Sequence, residues 1–240
     1  MTGALILAID QGTTNTKAAL FDAATGAIRG KASHPLGVVH PRPGWAEQSA
    51  EAIWGSVAGA VSELLAATPG ADIAAVAITN QRETIVLWDA QTGQALAPAI
   101  SWQCRRTADA CHRLEPYAAL LTERTGLGLD PLFPSTKLAW LLDTVPDARR
   151  RAEAGELRAG TVDAWLLWQM TGGAVHATDL SNASRTQLFG LDRLAWDAEL
   201  LDLFGIPASL LPEVRASDAH FGETRAIGLP AGIPIHAVLG

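Results

Sequence analysis

Three apolar runs crowd the start of the chain, at residues 4 to 10, 17 to 23 and 27 to 33. The separators "DQGTTNT" and "AATG" are rich in turn formers. They are also far shorter than the dozen or more residues a parallel crossover requires. The three runs must therefore pair antiparallel as a meander, which sets this chain apart from folds that open on a strand, a helix and a parallel strand.

"HPRPGWAEQ" (40 to 48) carries too much Pro and Gly for regular structure and delivers the chain into a helix. There Ile53, Trp54, Val57, Val61, Leu64 and Leu65 recur at three- and four-residue steps, one stripe facing a core. "IAAVAITNQ" (73 to 81) reads as a strand buried on both faces, "TIVLWDAQTGQAL" (84 to 96) as a strand and turn, and "AISW" (99 to 102) as a short strand. A helix crossing between strands implies an α/β layer. Beyond about residue 105 the pattern turns helical, in "RTADACHRLEPYAALLTERTG", "PSTKLAWLLDTVPDARRRAEAG", "TVDAWLLWQMTGG" and "LAWDAELLDLFG". A short strand near 159 and a last one in "GIPIHAVLG" complete one α/β domain with a helical second half. That last strand halts at Leu239 and Gly240, as though cut where a strand opens into a loop.

With 240 residues and 48% hydrophobic content, the chain can bury one large core or two small ones. A net charge of -7 and a pI near 5.3 argue against nucleic acid and against anionic membranes as partners. No apolar run reaches the roughly 18 residues of a spanning helix. Two cysteines, Cys104 and Cys111, offer no disulfide framework and suit a reducing compartment, so the expectation is a soluble cytoplasmic protein.

Asp10 ends the first strand, where its carboxylate could hold a hydrated magnesium ion. Gly12 lets the backbone approach a phosphate, Thr13, Thr14 and Asn15 offer donors, and Lys17 adds a point charge. The same residues equally suit an ordinary hairpin turn. Neither G-x-x-x-x-G-K-[ST] nor G-x-G-x-x-G occurs, which excludes a P-loop and leaves a dinucleotide site unsupported. In "ITNQRET", Asn80, Gln81, Arg82 and Glu83 follow an apolar strand and are expected to face a cleft or solvent, with Arg82 and Glu83 side by side to donate to and accept from polyol hydroxyls. A solvated loop with a weak ion pair is the plainer alternative. Trp102 could lay its face on a sugar or polyol carbon skeleton, or simply pack. The histidines show no zinc spacing, Cys104 has no recognisable partner base, and "ARRRAEAG" reads as a solvated helix face.

Seven segments, "AIDQGTTNTKAALFD", "HPRPGWAEQ", "ITNQRETIVLWD", "ISWQCRRT", "LDPLFPSTKLAWLLD", "GTVDAWLLWQMTGG" and "HATDLSNASRTQLF", stand in the order and spacing that resemble glycerol kinases of the FGGY carbohydrate kinase family. The resemblance implies an RNase H-like, actin-type ATPase fold in which two such domains flank a cleft. It also implies ATP and Mg2+ at paired hairpins and a small polyol in the first domain. On that basis the metal-associated aspartate falls on Asp10, the phosphate turn on Thr13, Thr14, Asn15 and Lys17, the polyol-hydroxyl pair on Arg82 and Glu83, and the polyol-lining tryptophan on Trp102.

Two departures matter. Leu132 stands where the family usually has a tyrosine that helps hold glycerol, which keeps open a kinase for another sugar such as a pentulose. The stretch "GETRAIGLPAGIPI" has no counterpart of the glycine-rich fructose 1,6-bisphosphate loop, so no such inhibition is expected. The resemblance further implies a general-base aspartate just after Gly240 and a second domain beyond it, so residues 1 to 240 are expected to fold without turning over. A polyol- or nucleotide-sensing module without chemistry is the reading from another class, and assembly into a homo-oligomer stays open.

Overall fold

A computed structural model describes residues 3–226 and 228–240 of the chain; Ile227, inside the stretch read as lacking the inhibitor loop, lies outside the described residues. The opening meander forms as β1 (Leu5–Gln11), β2 (Asn15–Asp22) and β3 (Ile28–Pro35), each antiparallel to the next. A short β4 (Glu47–Gln48) precedes α1 (Ala50–Ala67), whose N-cap Ser49 hydroxyl accepts the Ala52 N–H at 3.1 Å. Ile53, Val57, Val61 and Leu64 form its fully buried stripe, with Trp54 and Leu65 at the margins. Next come β5 (Ile73–Asn80), β6 (Ile85–Asp89) and β7 (Ala99–Ile100).

The helical stretch expected from 106 to 126 is broken into α2 (Ala108–Arg113), a 3-10 turn at Glu115–Tyr117 and α3 (Ala118–Thr125). Pro116 lacks the N–H that a continuous helix would need there. Then follow α4 (Pro134–Thr144), α5 (Ala148–Glu153), β8 (Leu157–Thr161) and α6 (Val162–Met170). The remainder is less helical than its pattern suggests. It runs through β9 (Ala177–Asp179), α7 (Leu180–Ala183), β10 (Phe189–Gly190), β11 (Ala195–Trp196), α8 (Ala198–Phe204), β12 (Glu213–Arg215) and β13 (Ile235–Leu239). The "LAW" expected to open the last helix contributes Ala195 and Trp196 to β11 instead, because the Asp197 carboxylate caps the helix two residues later.

The main sheet has the order β13-β5-β1-β2-β3, with β5 parallel to β1 and β13 parallel to β5. An antiparallel meander extended by parallel strands is the RNase H-like, actin-type arrangement. A second sheet, β4-β7-β6-β8, stands apart from it. Strand β6 divides two cores: Val86 and Trp88 join α1, α6 and the main sheet, while Ile85 and Leu87 join α4 and α8. Helix α6 is wedged in the first core with every residue from Val162 to Leu167 buried.

Strand β5 departs from the reading of a strand buried on both faces. Val76 and Ile78 are buried, but Ala75 and Ala77 are half-buried and Thr79 is exposed. Ile6 and Ala8 of β1 and Ala19 and Phe21 of β2 share that partly open face. Alternating alanines made the run read as continuously apolar although only one face is fully covered.

Candidate functional site

Parallel pairing puts the carboxyl ends of β1, β5 and β13 along one edge of the main sheet, where Gln11, Asn80 and Leu239 sit near Gly12, Gln81 and Gly240. Open α/β sheets carry ligands at this edge. Residues that are distant in sequence meet here.

The β1–β2 turn is narrow. Gly12 donates its N–H to the Asn15 carbonyl at 3.0 Å, and a Cβ on Gly12 would stand 2.9 Å from that same oxygen. Glycine is therefore needed to close the turn, and its own N–H is consumed. The next two N–H groups, of Thr13 and Thr14, have no acceptor among the described residues, and Thr14 is exposed. Successive free donors at a tight turn are the groups from which anion-binding concavities are built. Asn15 does not join them with its side chain, because its Oδ1 accepts the Ser33 hydroxyl across the β2–β3 pair at 2.9 Å. Lys17 lies opposite Asp10 in the β1–β2 register, on the open face, with Nζ 3.8 Å from the carboxylate.

Asp10 accepts no hydrogen bond among the described residues and its side chain is 52% exposed. Its oxygens are thus open to a hydrated divalent cation, which typically takes one or two carboxylates and keeps several waters. The residues fit magnesium with Lys17 as the competing cation.

Behind the turn lies a buttress that the sequence reading missed. Gln81 Nε2 donates to Gln48 Oε1 at 2.9 Å and to Gln11 Oε1 at 3.1 Å, while Gln48 Nε2 donates to the Thr13 carbonyl at 2.8 Å. All three glutamines are buried, so their amides stabilise the turn from below instead of facing solvent. Asn80 is also turned inward, exchanging hydrogen bonds with Asn182 at 2.9 and 3.1 Å. Of the four polar residues expected to face a cleft or solvent, only Arg82 is exposed, while Asn80, Gln81 and Glu83 are buried. The others find partners, which removes the penalty of burying them.

Arg82 and Glu83 do not sit side by side as an ion pair. The Thr84 N–H reaches back to the Arg82 carbonyl at 2.8 Å and Glu83 takes φ 61°, a three-residue γ-turn that reverses the chain. Arg82 is thereby sent outward over Gly240, and Glu83 inward, where it accepts from Arg185 Nε at 2.7 Å. The Arg185 guanidinium in turn lies 5.1 Å from the Phe133 ring centroid. A non-glycine residue held at positive φ is a strain that functional sites commonly carry.

Trp102 is 37% exposed and fixed from three sides. Its backbone N–H donates to the Thr84 hydroxyl at 3.1 Å, its carbonyl lies 3.3 Å from Lys137 Nζ, and its indole N–H donates to the Thr13 hydroxyl at 2.9 Å. The last of these joins the residue read as polyol-lining to the turn read as phosphate-binding. Arg185 had no periodic signal to reveal it, although it lies within the motif "SNASRTQLF". Lys137 did have one, since it interrupts the apolar face made by Leu138, Leu141 and Leu142.

Among the described residues, no helix is long and apolar enough to cross a membrane. Residues 5–240 match the N-terminal domain of the FGGY family of carbohydrate kinases. The chain is 50% identical over 239 residues to the glycerol kinase of Symbiobacterium thermophilum, covering 98% of this chain and 48% of that protein. It is 51% identical, again over 239 residues and with the same coverage, to that of Alcanivorax borkumensis. In three dimensions it resembles Plasmodium falciparum glycerol kinase with ADP at a TM-score of 0.95 and 28% identity, over 99% of this chain and 48% of the other. A xylulose kinase of Rhodospirillum rubrum shares the fold, at a TM-score of 0.87 and 24% identity over 98% of this chain and 48% of that one. The chain spans about half the length of the curated relatives it matches. With its meander-led mixed sheet and a match running from β1 to Gly240, this chain belongs to the FGGY family of carbohydrate kinases.

Proposed function

We propose that this chain is the polyol-binding half of an ATP-dependent kinase that transfers the γ-phosphoryl group to a terminal hydroxyl of glycerol or a closely related small polyol. The observation that carries the reading is the junction of Trp102 with Thr13, which sets a partly exposed indole beside two free backbone donors. Identity of about half to glycerol kinases supports the choice of acceptor.

Phosphoryl transfer relies on positioning and on neutralising charge. Thr13 and Thr14 would receive phosphate oxygens through their N–H groups, and Lys17 would face the same charge. Magnesium, held at Asp10, would supply charge neutralisation to the phosphates. On the acceptor side, Glu83 would accept from an alcohol hydroxyl and Arg82 would donate to one. The Arg185 contact at 2.7 Å keeps the Glu83 carboxylate aimed, which suits a binding role. The proton from the attacking hydroxyl is assigned to an aspartate outside residues 1–240.

Leu132 favours a second acceptor, a pentulose or another sugar, because an apolar side chain there offers no hydroxyl to a small triol. A coupled phosphorylation assay of the intact protein across polyols, pentoses and pentuloses decides between them. Turnover of glycerol with higher kcat/KM than any sugar supports the first reading. Turnover of a sugar without glycerol replaces it, and ligand binding without any turnover leaves a sensing module.

A further inference from the structure

Lys137 is fully buried near the start of α4, and among the described residues it makes no ion pair. Buried cations are ordinarily matched by a carboxylate, and an apolar side chain of similar volume at such a place is often no less stable. Here the ammonium instead meets three backbone carbonyls: Ser101 at 2.8 Å, Leu132 at 2.8 Å and Trp102 at 3.3 Å. Three donors face three acceptors, so the charged group is fully satisfied. Those acceptors come from two separate segments. One carries Trp102, the other carries Leu132, the position where the acceptor pocket departs from the family pattern.

We infer that Lys137 is a positioning residue of the acceptor pocket, holding the Trp102 and Leu132 backbones at one spacing and so setting the width available to the alcohol. The inference rests on the kinase reading above. Two features show why a lysine serves. Besides the ammonium, the Trp102 loop reaches the Leu132 segment through the exposed Arg105–Asp130 ion pair at 3.9 Å, a weak surface contact, so removing the ammonium loosens one loop from the other. Desolvation also pushes Lys137 down to about 7, with Cys104, Glu83 and Asp130 opposing and Arg106 assisting. Its charge then varies near neutrality. A neutral amine would turn a lone pair toward one of the three carbonyls and loosen the clasp.

The test is steady-state kinetics of the intact protein with glycerol and ATP varied separately, for wild type, Lys137→Met and the milder Lys137→Gln. The expected result is an acceptor KM raised about tenfold in Lys137→Met with ATP KM within about twofold, since uniform binding to one substrate alone is lost. Lys137→Gln should fall between, and it carries the test alone if Lys137→Met does not fold. Wild-type acceptor KM should also climb above about pH 7, and this climb should vanish in Lys137→Met. An unchanged acceptor KM, or parallel shifts in both KM values with a lowered melting temperature, overturns the inference and leaves the kinase reading standing. A wild type that phosphorylates no acceptor overturns the kinase reading, and this inference with it.

Discussion

The Trp102 indole donates to the Thr13 hydroxyl at 2.9 Å across 89 residues of sequence. Thr13 in turn lies 3.4 Å from Gln81 Oε1, and its carbonyl is held by Gln48, so the tryptophan rests on the same buttress as the turn. A disturbance on either side is felt on the other. Thr13→Val should therefore raise the KM of both acceptor and ATP, each by about three- to tenfold, the worth of one net hydrogen bond. Initial-rate measurements with each substrate varied in turn check this, and a rise confined to ATP would show that the two sides are independent.

Gly12→Ala should act on both substrates through the turn, and on ATP the more strongly. The added Cβ would stand 2.9 Å from a backbone oxygen that cannot swing aside, so the β1–β2 turn must open and the Thr13 and Thr14 donors must separate. A destabilisation of about 1–3 kcal/mol is expected, with the ATP KM rising most and the acceptor KM rising with it, because the Trp102 indole is bonded to the displaced Thr13. Chemical denaturation and initial rates on the same preparation give both numbers.

The Glu83–Arg185 pair and Arg82 should both matter to acceptor binding but differ in stability. Arg185→Met strips the cation from the buried Glu83 carboxylate and should lower stability by about 1–3 kcal/mol while weakening acceptor binding. Arg82→Ala removes an exposed side chain, so acceptor binding should weaken with little change in melting temperature. Calorimetric titration with glycerol and thermal melts of both variants separate these effects. Equal melting losses would mean that Arg82 is as structural as Arg185.

Asp163 predicts a pH dependence away from the site. Burial pushes its carboxyl up to about 6, with the Thr161 and Thr178 hydroxyls opposing. A folded state that holds this proton more tightly than the unfolded chain is most stable below about pH 4 and loses that stability as pH rises through 6. Asp163→Asn cannot ionise. Relative to wild type it should therefore gain about 2–3 kcal/mol between pH 4 and pH 8, in proportion to the shift. Urea midpoints at the two pH values test this, and a difference between the proteins that stays constant with pH contradicts it.

The meander, α1 and its buried stripe, β5 to β8 and the last strand were all legible, because each rests on local periodicity or on separators too short for any other pairing. Short elements such as β9, α7 and β12 were not. Strands Ala177–Asp179 and Glu213–Arg215 are stabilised by each other and carry no pattern of their own. At the site, the turn and Trp102 were visible as residue types, whereas the direction of Glu83 was not. Its carboxylate is aimed by a γ-turn and by an arginine 102 residues later, and neither leaves a trace in the neighbouring letters. The glutamine buttress was hidden for the same reason. Polar residues after an apolar strand signal a cleft on average, but here the partners that satisfy them arrive from β1 and β4.

Strand β13, at one edge of the main sheet, is synthesised long after its neighbour β5, which belongs to the first third of the chain. During synthesis β5 must wait with one row of amide and carbonyl groups unpaired, while α2 to α8 are made. Closing so long a span carries a large entropic barrier, so the final zippering of Ile235–Leu239 is expected to set the pace of maturation. Until it happens, the waiting edge is the place where a nascent chain would most readily join a neighbour.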